Sequence, residues 1–142
     1  MKILILHGPN MNLLGIREPE IYGTETYSEL CNAIRRYCSS YQIETAFFQS
    51  NHEGDIVDEI QKAYGVYDAI IINPAAYAHT SIAIADALRA VALPAVEVHL
   101  SDIRTREPFR RNSVTSAACI KMICGKGSDG YFDAVDLLRN QE

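Results

Sequence analysis

A chain of 142 residues, 48% hydrophobic and 22% charged with a formal net charge of -5, has apolar matter for one core of ordinary domain size and too much of it for disorder. Its apolar runs fall short of the roughly 20 residues that a membrane span needs. With 18 acidic against 13 basic residues, it also lacks the cationic surplus of a general nucleic-acid binder. We therefore read residues 1–142 as one domain, with no membrane and no nucleic-acid partner.

The apolar run at Lys2–Leu6 predicts a first strand, ended by His7, Gly8, Pro9 and Asn10. It is too short for a signal peptide, and a cytoplasmic location is expected. Thr26 and Glu29 form a capping box. Tyr27, Leu30, Cys31, Ile34, Tyr37, Cys38 and Tyr41 then follow at spacings of three and four, the pattern of one apolar helix stripe. Ile43–Phe48 reads as a second strand, and Ile56, Val57, Ile60, Ala63, Tyr64 and Tyr67 mark a second helix closing near Gly65. Ala69–Ile72 is a third strand stopped by Asn73 and Pro74, followed by an alanine-rich helix from about His79 to Val91. Pro94–Leu100 and Ala117–Cys124 supply a fourth and a fifth strand, and a last helix begins near Asp129. Cys31, Cys38, Cys119 and Cys124 show neither CxxC nor zinc spacing and read as small buried hydrophobes in a reducing compartment.

Strands alternating with helices predict an α/β fold, and strands apolar on both faces predict a parallel sheet covered by crossover helices. At this length the natural architecture is a flavodoxin-like, doubly wound five-stranded parallel sheet with helices on both faces. Ligands of such sheets bind outside the carboxyl ends of the strands. Collected there are His7, Asn10 and Asn12; Gln49, Ser50, Asn51 and His52; Asn73 with His79; and Glu97, His99 and Ser101. All four histidines of the chain fall at or just beyond strand ends, which argues for an enzyme. His7 and His52 read more readily as structural residues, His7 capping the end of the first strand and His52 the start of the second helix. His99 differs, because Glu97 two residues earlier shares its face of the strand and can orient and charge the imidazole as a general acid or base.

Four of the nine arginines crowd into Arg104, Arg106, Arg110 and Arg111. They read either as a pocket for a small anion or as a solvated loop. Between the first strand and the first helix, Gly15–Thr24 is long for a βα loop and carries Arg17 and Tyr22. A free tyrosine titrates near pH ~10, so ionising one near neutrality costs about 4 kcal/mol, part of which a close guanidinium can supply. Tyr22 is thus either a base beside Arg17 or a lid residue that packs over a ligand. No GxGxxG, GxxxxGK[ST] or GxSxG motif occurs, and no histidine–carboxylate group has metal-ligand spacing.

Several stretches together resemble the type II 3-dehydroquinate dehydratases. They are Gly8-Pro9-Asn10-Met11-Asn12-Leu13-Leu14-Gly15, Arg17-Glu18-Pro19 with Tyr22-Gly23, and Phe48 through Gly54. Further on come Asn73-Pro74-Ala75-Ala76-Tyr77, His79-Thr80-Ser81 with Asp86, Glu97-Val98-His99-Leu100-Ser101, Arg106 through Arg110, and the ending around Gly125, Gly127 and Tyr131.

The resemblance implies a flavodoxin-like hydro-lyase that uses no cofactor and no metal. Its reaction would be anti elimination of water from 3-dehydroquinate, through an enolate, to give 3-dehydroshikimate on the route to aromatic amino acids. It implies Tyr22 as base, Arg17 as the residue that keeps it reactive, Asn10 at the enolate charge, and His99 as acid with Glu97 behind it. Asn73, His79, Asp86, Leu100, Ser101, Arg110 and Arg106 would bind substrate. It further implies a homo-oligomer, a dodecamer built from trimers, with the Asp86 region reaching a neighbour's site. Met11, Ala85 and Asp102 depart from the family's usual residues. The alternative from another class is a non-catalytic flavodoxin-like module that binds a small carboxylate.

Overall fold

The computed structural model describes residues 1–141. Five strands, β1 (Lys2–His7), β2 (Glu44–Gln49), β3 (Ala69–Asn73), β4 (Ala95–His99) and β5 (Lys121–Cys124), pair in parallel in the order β2-β1-β3-β4-β5. That is the flavodoxin-like order, with its switch point between β1 and β3.

The period-two geometry of the strands splits the core in two. Ile3, Ile5, Ile71, Val96 and Val98 face α2 (Tyr27–Ser39) and α5 (Asp129–Arg139), packing on Leu30, Ile34, Tyr131 and Val135. Leu4, Leu6, Ile70 and Ile72 face the other way, onto Ile56 and Ile60 of α3 (Glu53–Ala63) and Ile84 and Leu88 of α4 (Ile82–Val91). Among the described residues, no helix is long and apolar enough to cross a membrane.

The expected elements are present, with local corrections. Thr26 caps α2 by accepting from Glu29 N–H at 3.1 Å while its hydroxyl donates to the Glu29 carboxylate at 3.0 Å. The alanine-rich helix does not begin at His79. Ala75–His79 forms a 3-10 turn, and α4 starts only where Ser81 Oγ accepts from Ile84 N–H at 3.0 Å. The fifth strand is half its expected length, because Thr115–Ala118 forms another 3-10 turn that carries Thr115 toward β4. Leu100 lies just past β4, and the long loop after β1 contains a short helix, α1 (Pro19–Tyr22). Cys31 and Cys38 are buried as expected, whereas Cys119 and Cys124 are only partly so.

At the switch point the ends of β1 and β3 nearly touch. Gly8 N–H donates to Asn73 O at 2.8 Å, and a Cβ on Gly8 would lie 2.3 Å from the Pro74 carbonyl oxygen. A side chain there would push β1 and β3 apart at their carboxyl ends.

Candidate active site

A cleft opens at the carboxyl ends of β3 and β4, roofed by α1 and the segment after β4. It contains about 450 Å3 of space between atoms, part of it open solvent. It brings together Arg17, Tyr22, Asn73, His79, His99, Leu100, Ser101, Arg106 and Arg110, with Met11, Ala75, Ala76 and Ile103 as apolar lining.

On the roof, Tyr22 is held between two arginines. The Arg17 guanidinium stacks 4.6 Å from the ring centroid, and Arg106 Nη1–H donates to Tyr22 Oη at 3.1 Å. The direct contact to the phenol oxygen therefore comes from Arg106 rather than from Arg17. Arg106 also reaches Ser101 Oγ at 3.3 Å, tying roof to floor. Arg110 Nε lies 3.0 Å from Glu107 Oε2 but is too poorly aligned for a hydrogen bond, so it is a buried donor without a partner.

The arginine-dense segment thus divides. Arg106 and Arg110 line the cleft. Arg104 turns away to Asp102, whose carboxyl its guanidinium and backbone N–H hold down at about 2, and Arg111 Nε–H donates to Arg106 O at 2.9 Å.

On the floor, alternation along β4 sends Glu97 and His99 to the same face. His99 Nε2–H donates to Glu97 Oε2 at 2.7 Å, which leaves Nδ1 as the ring's free nitrogen. The His79 ring lies nearly parallel to it, with centroids 6.4 Å apart, and His79 Nδ1–H donates to Asn112 O at 2.8 Å. Glu97 does not line the cleft. It is fully buried behind His99 and accepts two more hydrogen bonds, from Ser113 Oγ–H and Thr115 Oγ1–H. Sequence reading missed these hydroxyls. Ser113 and Thr115 lie 16 and 18 residues beyond Glu97, and neither spacing nor periodicity links them to it.

Asn73 is fixed before any ligand arrives. Its Oδ1 accepts from Ala75 N–H at 3.1 Å, so Nδ2–H must be the donor to Tyr131 Oη at 3.4 Å. Tyr131 Oη lies 2.9 Å from His7 Nε2, and His7 Nδ1 lies 3.0 Å from Tyr27 Oη. The arrangement that uses every hydrogen has Tyr131 donating to Nε2 and Nδ1–H donating to Tyr27. Burial lowers the His7 imidazole to about 3, so it is neutral. His7 is a core residue, and His52, exposed beyond β2, makes no side-chain cap.

Two expected site residues stand apart. Asn10 is exposed and outside the cleft lining, in a left-handed backbone conformation (φ 68°), with its N–H donating to Asn51 Oδ1 at 3.0 Å. Asp86 is exposed on α4, 3.6 Å from Arg89, whereas its neighbour Ala85 is buried within this chain.

A tyrosine under guanidinium charge facing a histidine–carboxylate pair can remove a proton from one atom of a ligand and deliver one to another. A neighbouring arginine whose buried Nε makes no hydrogen bond can hold an anion. Comparison with known proteins shows the family. The family model described as dehydroquinase class II matches residues 1–139. The 3-dehydroquinate dehydratase of Clostridium acetobutylicum is 53% identical over 140 residues, spanning 99% of this chain and 97% of that one. The 3-dehydroquinate dehydratase of Geotalea daltonii is 56% identical over 131 residues, covering 92% of this chain and 91% of its own. The crystal structure of a type II dehydroquinase from Butyrivibrio crossotus superposes with a TM-score of 0.96 at 52% identity, covering 98% of this chain and 97% of that one.

Proposed function

This chain belongs to the class II dehydroquinases, and from that premise we propose how its residues divide the conversion of 3-dehydroquinate to 3-dehydroshikimate and water. Eliminating water from a β-hydroxyketone needs a base for the proton beside the ketone, stabilisation of the enolate, and an acid for the departing hydroxyl.

Tyr22 is the base. As a phenolate, its Oη takes the proton from the carbon beside the carbonyl, and the C–H electron pair moves onto the carbonyl oxygen as an enolate. Arg106, bonded to that oxygen, and Arg17, stacked on the ring, supply the positive charge against which a phenolate can sit. Asn10, at the start of the segment that carries both Arg17 and Tyr22, helps hold a water at the enolate oxygen.

Collapse of the enolate re-forms the ketone and makes the carbon–carbon double bond as the carbon–oxygen bond breaks. His99, charged and held by Glu97, gives its Nδ1 proton to the leaving hydroxyl, which departs as water. The proton taken by Tyr22 is then lost and His99 regains one, which closes the cycle without a cofactor. Base on the roof and acid on the floor suit an anti elimination, with proton and hydroxyl leaving from opposite faces.

The substrate is a carboxylate. Arg110, with an Nε buried and unbonded, is its partner together with the Leu100–Ser101 pair. Asn73 and His79 hold the hydroxyls. Asp86 faces away from this chain's own cleft and serves a neighbour's site in a dodecamer built from trimers. We place the enzyme in the cytoplasm, with residues 1–142 as one catalytic domain.

The observation that carries this reading is the Arg106–Tyr22 hydrogen bond facing the Glu97–His99 pair, which a module that only binds a carboxylate does not need. The test is Tyr22→Phe. It should bind substrate with affinity within a few-fold of the parent but lose turnover by at least about a thousand-fold, the loss expected when a base is removed. A fully active Tyr22→Phe enzyme would remove tyrosine from the role of base.

A further inference from the structure

Glu97 is fully buried and accepts three hydrogen bonds at its carboxylate. Thr115 Oγ1–H donates to Oε1, while Ser113 Oγ–H at 2.5 Å and His99 Nε2–H at 2.7 Å both donate to Oε2. No charged group is its strand neighbour, since its register partners are Ile72 on β3 and Met122 on β5.

One proton on the Glu97–His99 pair has two possible homes. On His99 it gives an imidazolium whose Nδ1–H is a competent acid. On Glu97 it leaves a neutral imidazole whose remaining N–H is a poor one. The proton could pass to Glu97 only at Oε2, which faces Nε2. The Ser113 hydroxyl hydrogen already points at that oxygen, and the OH oxygen of a carboxylic acid is a weak acceptor. Thr115 occupies the other oxygen. Both hydroxyl bonds are charge-assisted only while Glu97 is an anion.

We propose that Ser113 and Thr115 are positioning residues that keep the shared proton on His99 by binding Glu97 as a carboxylate. The inference rests on the reading of His99 as the general acid. Neither residue touches the cleft; both act through Glu97.

The other ionisable groups around the pair do not supply this bias. His79 is parallel to His99 and directs its Nδ1–H to Asn112 O. Arg106, Arg110 and Tyr22 lie across the cleft on the His99 side. The Cys119 thiol, pushed up to about 12 by burial and by Glu97, is neutral and directs its hydrogen toward Thr115 O.

Thr115→Val keeps the β-branched shape and deletes the hydroxyl. Ser113→Ala deletes the second donor and also frees Ser116 N–H, which Ser113 Oγ accepts at 3.0 Å. The measurements are kcat, KM and the imidazolium fraction of His99, followed by 15N NMR of histidine-labelled protein over a pH series. Thr115→Val should lose about ten-fold or more in kcat with KM within about three-fold, and should show less imidazolium through the range where the pair holds one proton. Thr115→Ser, which restores the donor, should return kcat to within about two-fold of the parent.

Should Thr115→Val not fold, Ser113→Ala decides by the same readouts. Unchanged kcat and imidazolium fraction in the folded donor-deleted variants would overturn the proposal, as would a Thr115→Ser enzyme as impaired as Thr115→Val. His99→Gln separates the two levels. If it is inactive while the donor-deleted variants behave as the parent, only this inference falls. If it keeps the parent's rate, the acid assignment falls, and this inference with it.

Discussion

His7 and His99 both end strands of the sheet, yet their environments give them opposite roles. His99 has a carboxylate on its own face and an open ring nitrogen at the cleft. His7 has a tyrosine hydroxyl on each ring nitrogen and no exposure at all. Their positions at strand ends were legible in the sequence. The surroundings of His7 were not, because they depend on Tyr27 and Tyr131, residues 20 and 124 positions away. For the same reason Ser113 and Thr115 escaped notice, while the Glu97–His99 pair, set by strand alternation alone, did not.

The environment of His7 has a consequence for stability. Its folded value is about 3 against 6.5 when unfolded, so below 6.5 the unfolded chain takes up a proton that the folded chain refuses. Stability therefore falls as pH drops from 6.5 toward 3, by about 2 kcal/mol between pH 7 and 5 from this group. His7→Gln should be less stable than the parent at pH 7 but lose less between pH 7 and 5 in denaturant titrations. Parallel pH dependence in the two proteins would show that His7 is not buried in its neutral form.

At the scale of elements, the strands and long helices follow from apolar periodicity, and the errors fall where side chains cap or bend the chain. Ser81 delays α4 by binding Ile84 N–H, and Thr115 draws its 3-10 turn toward Glu97 and so shortens β5. Both corrections lie behind the cleft, and two cleft residues end 3-10 turns rather than helix or strand: His79 ends Ala75–His79 and Arg110 ends Pro108–Arg110. Gly8 marks the tightest point of this framework, since an added Cβ would meet the Pro74 backbone at 2.3 Å. Gly8→Ala should cost about 1–3 kcal/mol through overpacking. It should also raise KM by shifting Asn73, whose carbonyl binds Gly8 N–H. Thermal denaturation and steady-state kinetics check this; a variant with unchanged Tm and KM would show that the β1–β3 junction is slack.

For the whole molecule, an acidic chain with a few cations gathered at the switch-point end of its sheet becomes an enzyme for a small anion. The parallel α/β class follows from near-continuous apolar strands with helices between them, whereas the strand order was an expectation from length that the fold bears out. The split of the arginine cluster into two cleft residues and two outside it needed the fold. Asp86 is exposed on α4 and outside the lining of this cleft, so its proposed role needs a neighbouring chain. Twelve chains of 15.8 kDa give about 190 kDa, the mass expected from light scattering on the eluted enzyme. A monomeric mass with full activity would exclude a contribution from a neighbour's Asp86. The most direct test of the account is to add 3-dehydroquinate to the purified protein, without added cofactor, and follow ultraviolet absorbance of the conjugated enone. Steady growth of that absorbance, abolished by Tyr22→Phe, is the predicted result. No absorbance change from folded, oligomeric protein would contradict it.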